Sequence, residues 1–349
     1  MRRSAPECQE EGSMKVLVTG GAGYIGSTIC AALEERGHVP VVLDSLVTGR
    51  EAFVQGRRFY RGDVGDRDLL RKLFDENPDV GCTIHCAALI LVPESVQRPY
   101  DYYTENVAKS MILFHELAGL GYGNVVFSST ASLYDVVPGF MVTEESPLNP
   151  NSPYARSKRM MEMVLEDFAG AYDLRGVSLR YFNPIGADPK MRSGMQIREV
   201  SHVVPIMVEV ALGKRKEFTL TGTDWPTRDG SGIRDFIHVW DLAQAHVNAV
   251  EKFENLFDPT SRTPGYRVIN LGTGKGVTVR ELIGAFEKVY GKKLPVREAP
   301  PRPGDVAGAF ANADTALVAL GWKAEKSIEE GIADSLRWGE KRPTVLGYP

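Results

Sequence analysis

Short runs of β-branched and aliphatic residues, each followed by a stretch of helical character, confine this chain to one broad architecture. The runs are KVLVTG at 15–20, VPVVLD at 39–44, RFYRGD at 58–63, TIHCAA at 83–88, NVVFSS at 124–129 and VSLRYF at 177–182. Helical patterns separate them, such as IGSTICAALEERG over 25–37. Strands alternating with helices argue for a parallel sheet covered on both faces, and near-continuous apolar strands suit burial on two sides. The expected fold is α/β, with a doubly wound parallel sheet.

After Pro184 the clean alternation is lost and Gly, Pro and charged residues become frequent, with one helix expected near 203–212. DFIHVWDLAQAHVNAVEKF at 235–253 then reads as strand and helix, and RVINLGTG at 267–274 as another strand. The chain is thus expected to leave its first lobe, return, and leave again. Residues 14–185 are expected to form the first lobe, with returning segments at about 235–262 and 266–275. Residues 186–234 and 276–349 form a smaller interleaved C-terminal substrate lobe. Residues 1–13 read as a disordered extension or a misassigned start, because strand character begins only at Lys15.

Composition excludes several classes of function. The formal net charge of -4 disfavours nucleic acid as a partner. No apolar run approaches the roughly 20 residues of a membrane-spanning helix, and the N-terminus has no apolar core that would make a secretory signal. The four cysteines, Cys8, Cys30, Cys82 and Cys86, do not form a disulfide framework in a chain of 349 residues. Reduced thiols and a cytoplasmic location are expected. The six histidines are scattered at 38, 85, 115, 202, 238 and 246, without zinc spacing, so no catalytic metal is expected.

The first strand runs straight into Gly20-Gly21-Ala22-Gly23-Tyr24-Ile25-Gly26. A glycine turn at a strand–helix junction lets backbone approach a pyrophosphate, and the helix N-terminus offers open N–H groups. With this turn the sheet is Rossmann-like. The second strand ends in Asp44, 18 residues after Gly26. A carboxylate there accepts from ribose hydroxyls and repels a 2′-phosphate, which favours NAD over NADP. Asp63, after the third strand, binds the adenine amino group or caps the next turn.

Tyr154 and Lys158 stand four apart in SPYARSKRMMEMVLEDFA, which reads as a helix and puts both on one face. An ammonium beside a phenol stabilises the phenolate, so tyrosine can act as a base near neutrality. The other reading is a surface pair. The fifth strand ends in Ser128-Ser129-Thr130, which sets hydroxyls at the carboxyl edge of the sheet, where ligands bind in such folds. Thr130 is the candidate to hydrogen-bond the reacting oxygen.

These features together resemble the extended short-chain dehydrogenase/reductase family, and within it the UDP-hexose 4-epimerases. The similarity runs from about Lys15 to the last residues. It includes TGGAGYIG, Asp44, Asp63, HCAAL, the SST–YARSK pair, YFNPIGADP at 181–189, GTDWPTRDGSGIRDFIHV at 222–239, NLGTG at 270–274 and PRPGD at 301–305. The resemblance implies NAD as a tightly held cofactor and reversible epimerisation at carbon 4 of UDP-glucose and UDP-galactose. It adds Val64, Asn106 and Tyr181 to the cofactor contacts. It assigns the UDP portion to Asn183, His202, Arg234, Arg302 and Asp305. Arg234 and Arg302 suit diphosphate by charge-assisted bonds, although Arg234 also reads as a domain-bridging ion-pair partner and His202 as a structural histidine. It implies a homodimer through helices near 103–117 and 153–171; the methionines of the second (Met160, Met161, Met163) read more simply as core.

In such epimerases the residue four after the aspartate of the R-x-G-D motif lines the hexose wall. A tyrosine there restricts the pocket, and a small residue leaves room for an N-acetyl group. Here it falls on Ala309, so acetylated hexoses fit, unless Phe310 closes the wall by a one-residue shift. Departures from the family pattern are Ile90 for a lysine near the cofactor phosphates, His202 for asparagine, Asp135 for glycine, and Trp225 and Phe236 for tyrosines. A 4,6-dehydratase would carry an Asp-Glu pair where this chain has Ala131-Ser132. A non-catalytic sensor of NAD would typically lose Tyr154 or Lys158.

Overall fold

The computed structural model describes residues 12–258, 260, 264–301 and 305–348. The reading of residues 1–13 as an extension therefore falls almost wholly outside the described residues, as does Arg302. Seven parallel strands form the main sheet: β1 (Lys15–Thr19), β2 (Val39–Asp44), β3 (Arg58–Arg61), β4 (Val80–His85), β5 (Asn124–Ser128), β6 (Arg175–Tyr181) and β7 (Tyr266–Leu271). Their order is β7-β6-β5-β4-β1-β2-β3. The order reverses between β1 and β4, which opens a crevice at their carboxyl ends. The doubly wound sheet expected from the alternation is present.

The strands are apolar because both faces are covered. On one face α1 (Tyr24–Glu35) packs with Ile29 and Leu33 against Val16 and Val18, together with Leu242 of the returning segment. On the other, α2 (Lys109–Leu120) and α3 (Pro153–Ala171) bring Leu113, Phe114, Met161 and Leu165 onto Leu17, Val125 and Phe127. A third cluster holds the second lobe: α4 (Val203–Ala211) contributes Val204 and Met207, and the last helix, α6 (Ile328–Leu346), contributes Ile332. Between them, α5 (Val239–Glu251) follows the strand Phe236–His238 and packs back on α1, so the chain returns to the first lobe, and β7 extends the sheet beside β6.

Two expectations are corrected in detail. β4 begins at Val80 and ends at His85, three residues earlier than the run TIHCAA implied. Gly81 hid the start of the strand, and Cys86–Ala88 leaves the sheet as a loop. In α3 only Met161 is core; Met160 and Met163 are 42% and 49% exposed. On a 3.6-residue helix, positions 160 and 163 share a face that position 161 does not.

Candidate active site

The glycine turn forms the floor of the crevice. Gly20 sits at φ +70°, and a Cβ there would lie 2.7 Å from the Ala87 nitrogen. A Cβ on Gly26 would lie 2.3 Å from the Gly20 carbonyl oxygen. Bare backbone is therefore required at both positions. Gly23 caps α1 with no side-chain bond, and among the described residues the first-turn N–H groups of Tyr24, Ile25 and Gly26 have no acceptor. Open N–H groups at the positive end of a helix dipole suit a diphosphate. The ring of Tyr24 turns away from this duty: its buried hydroxyl donates to the Gly186 carbonyl at 2.7 Å and ties the turn to the second lobe.

Asp44 is buried at the end of β2, with one oxygen accepting from Ala22 N (3.0 Å) and the other from Leu46 N (2.8 Å). Burial pushes its carboxyl up, and those two bonds oppose the rise. Each oxygen keeps a further lone pair for a ribose hydroxyl. Gly49 folds over it so closely that a Cβ would lie 2.7 Å from Asp44 Oδ1. Asp63 does cap its turn, accepting from Gly65 N at 2.8 Å, and its other oxygen pairs with Lys109 Nζ at 2.6 Å. Val64 beside it is buried. Asn106 lies in a turn of π-helix, Thr104–Ala108. Its amide exchanges bonds with both backbone groups of Leu89 and donates to Ser157 Oγ at 3.0 Å, fastening the loop after β4 to the start of α3. Ile90 in that loop is 40% exposed.

The catalytic candidates converge at the ends of β5 and β6. Ser152 caps α3 by accepting from Ala155 N at 3.2 Å, and Pro153 follows at the first helical position. Tyr154 and Lys158 then lie one turn apart, 9% and 4% exposed. That burial overturns the surface-pair reading. Thr130, itself buried, lies beside the Tyr154 phenol. Burial raises the phenol above its ordinary range, and the neighbouring Thr130 hydroxyl works against that rise. Lys158 Nζ donates to the Ser128 carbonyl at 2.9 Å and stands 4.9 Å from the centre of the Phe127 ring. Burial pushes its ammonium down to about 8, moderated by Cys86 and Glu162. Tyr181 closes the group; burial first, then Cys86 and Tyr154, keep its phenol protonated.

Beneath them lies a polar chain. Cys86 Sγ contacts Ser128 Oγ at 3.0 Å, Ser128 Oγ contacts His246 Nε2 at 3.1 Å, and His246 Nδ1 bonds the Leu242 carbonyl at 2.8 Å. Burial pushes His246 down to about 4 and the Cys86 thiol up to about 11, so both are neutral near pH 7. Cys30 and Cys82 are buried free thiols, also held protonated by burial.

Of the residues assigned to the UDP portion, Asn183, His202, Arg234 and Asp305 are described. Asn183 pairs in register with Phe236, and its N–H donates to the Asp235 carbonyl at 3.0 Å. Arg234 pairs in register with Ala309. Its guanidinium donates to the carbonyls of Ile233 (2.7 Å), Ala307 (2.9 Å) and Val306 (3.1 Å), which anchors the segment after Asp305. Asp305 accepts from Thr221 Oγ1 at 3.4 Å. His202 precedes α4, and burial lowers its imidazole. Ala309 shares the Arg234 face of its strand, Gly308–Ala311, whereas the Phe310 ring lies on the opposite face against Gly276 and Ile233. Among the described residues no group of three His, Cys, Asp or Glu side chains is placed to hold a metal ion, and none of their helices is long and apolar enough to cross a membrane.

The sequence profile of the NAD dependent epimerase/dehydratase family matches residues 16–272, the whole span from the glycine turn to the end of β7. The chain belongs to this family. One family relative, the UDP-glucose 4-epimerase of Bacillus subtilis (strain 168), is 42% identical over 345 residues, covering 96% of this chain and 99% of that protein. The crystal structure of UDP-glucose-4-epimerase from Stenotrophomonas maltophila with bound NAD and formylated UDP-arabinopyranose superposes with a TM-score of 0.89 at 37% identity, covering 95% of this chain and 99% of that one. The Bifidobacterium longum UDP-glucose 4-epimerase in complex with NAD+ and UDP gives 0.86 at 35% identity, covering 95% and 100%.

Several residues that shape this family site were missed in the sequence. Glu162 is wholly buried one turn beyond Lys158; it accepts from Ser129 Oγ at 2.6 Å and from Arg180 at 2.7 and 2.8 Å. Arg180 also donates to Tyr134 Oη at 3.0 Å, and Tyr134 donates to Asn270 at 2.6 Å. A signal existed: Glu162 continues the row 154, 158, 162 on the buried face of α3. Lys109, bridging Asp63 and Glu105, had no such signal.

Proposed function

We propose that this chain interconverts UDP-glucose and UDP-galactose by reversible oxidation and reduction at carbon 4 of the hexose. The observation that carries the reading is the buried pair Tyr154 and Lys158 beside Thr130 at the carboxyl edge of the sheet, next to a bare glycine turn. NAD, when bound, would supply the acceptor and donor of hydride for carbon 4. Its pyrophosphate goes to the N–H groups of Tyr24, Ile25 and Gly26, and its adenosine ribose to Asp44. Tyr154 takes the proton of the 4-hydroxyl and later gives it back, while Thr130 holds the reacting oxygen. The Lys158 ammonium favours the phenolate electrostatically. Asn183, His202, Arg234, Arg302 and Asp305 keep the UDP portion in place while the hexose turns over. Ala131 and Ser132 follow Thr130 without a carboxylate, so the acid and base needed to eliminate water are lacking there.

The pocket wall supports a wider substrate range. Ala309 faces the same side as Arg234, and Phe310 does not, so the alanine sets the wall and a 2-acetamido group fits. The test is conversion of UDP-galactose without added reductant, alongside UDP-N-acetylgalactosamine, in wild type and Ala309→Tyr. Wild type should convert both sugars with no build-up of free NADH. The tyrosine should lower kcat/KM for the acetylated sugar at least ~10-fold relative to the plain one, since overpacking costs about 1–3 kcal/mol. Absence of conversion of UDP-galactose would sink the reading; an unchanged ratio would remove Ala309 as the gate.

The protein also acts as a cytoplasmic homodimer in this reading. Met111 on α2 and Met160 and Met163 on α3 are exposed on adjacent helices. Burying them in a second copy removes that apolar surface from water. Met160→Glu with Met163→Glu should halve the mass measured by light scattering; a wild-type monomer would contradict the proposal.

A further inference from the structure

The cofactor crevice has a third wall, and the second lobe supplies it. Gln196 is 4% exposed, and its amide lies on the glycine turn. Its Nε2 is 3.8 Å from where a Cβ on Gly23 would stand, on the side left bare by the second glycine. That nitrogen donates to the Thr48 carbonyl at 3.2 Å, in the loop that folds Gly49 over Asp44. The Thr48 carbonyl can only accept, so it fixes which end of the amide is nitrogen. Gln196 Oε1 then points elsewhere and has no hydrogen-bond partner although it is buried. A buried acceptor without a donor is costly and implies a missing partner.

The C-terminus holds Gln196 in place. Tyr348 donates its hydroxyl to the Gln196 backbone carbonyl and accepts from Arg50 Nε at 3.0 Å. Arg50 in turn gives its backbone N–H to the Ala22 carbonyl inside the glycine turn, at 2.9 Å. The guanidinium carbons of Arg198, Arg50 and Arg342 stand 4.6, 5.4 and 5.4 Å from the centre of the Tyr348 ring. One residue from the chain end thus ties together the loop after β2, the glycine turn and the segment carrying Gln196.

We infer that Gln196 is a cofactor contact contributed by the second lobe, and that Tyr348 is the positioning residue that holds it over the adenosine half of NAD. The amide fits that ligand: Oε1 accepts from a ribose hydroxyl, and the second hydrogen on Nε2 is available to a phosphate oxygen. Contacts from both lobes would make release of NAD require the C-terminal tie to open, which suits a cofactor that must stay bound while hydride leaves and returns. The inference rests on NAD as the cofactor of the proposed reaction. Its test needs no sugar, so the two can fail separately.

The experiment compares full-length wild type, Gln196→Met, Tyr348→Phe and Tyr348→Ala. Methionine keeps the volume of Gln196 and removes both polar ends. NAD per chain is measured after repeated gel filtration, and the dissociation rate after dilution into a trap for free NAD. Gln196→Met is expected to release NAD at least ~10-fold faster, the size of one or two lost hydrogen bonds. Tyr348→Ala should approach it, and Tyr348→Phe should lie between, because the ring stays among the arginines while the hydroxyl is gone. The activity lost by the dilute Tyr348 variants should be recovered by added NAD, placing the defect in affinity for NAD rather than in kcat. Release from Gln196→Met at the wild-type rate overturns the contact. Tyr348 variants that lose activity and do not recover it with NAD overturn the positioning role.

Discussion

Tyr154→Phe is expected to lower kcat by at least ~100-fold, the low end for removing a positioned acid–base group. The substitution deletes one oxygen from a side chain that is 9% exposed and leaves the ring in place. Folding and binding of UDP should therefore persist. The neighbouring Thr130 hydroxyl donates to Ser132 Oγ at 3.2 Å. Neither neighbouring hydroxyl can replace the phenol, because an aliphatic alcohol is a far weaker acid. Lys158 cannot take over either: its ammonium is engaged with the Ser128 carbonyl. Lys158→Met should reduce turnover in the same direction by withdrawing the charge that favours the phenolate. A coupled assay with UDP-galactose, and NAD content measured in parallel, separates loss of chemistry from loss of cofactor. Near-normal turnover in the phenylalanine variant would show that the proton goes elsewhere.

Local spacing made part of this site legible in advance. Tyr154 and Lys158 could be paired because helix geometry makes four residues one turn. β2 could be bounded at Val39–Asp44 because its apolar run stops at Asp44. The glycine turn was legible for the same reason, its chemistry lying within seven residues of one strand end. Position in the chain did not decide which face of α3 meets the sheet, so the exposed Met160 and Met163 were misread as core. Contacts that depend on the closed fold left no mark at all. Gln196 and Thr48 are 148 residues apart, and Tyr348 and Arg50 are 298 apart. Such pairs depend on how the second lobe returns to the first, which no short window of sequence encodes. Arg234 shows a related limit: the residue type suits a diphosphate, but nothing in the local sequence announced that its guanidinium also donates to the carbonyls of 306 and 307.

Glu162 lies between those cases, and its removal is expected to cause the largest loss of stability. The carboxylate is wholly buried and Arg180 is 3% exposed. The pair is bidentate, at 2.7 and 2.8 Å, with Ser129 Oγ as a further donor at 2.6 Å. Taking away one member leaves the other charge buried without compensation, a cost of about 3–5 kcal/mol, whereas replacing both with apolar side chains is often near neutral. Glu162→Met should therefore lower the urea midpoint of the NAD-loaded protein strongly. Glu162→Met with Arg180→Met should recover much of that loss. The double variant still lacks the acceptor for Ser129, the residue that precedes Thr130. Its turnover should remain below wild type even where stability returns, because Thr130 then loses the fixed backbone that aims it at Tyr154. A single variant as stable as wild type would show that Arg180 finds another partner through Tyr134. A stable double variant with full turnover would confine the pair to holding the fold, and leave the alignment of Thr130 to the helix cap at Ser152 and the strand ladder of β5 alone.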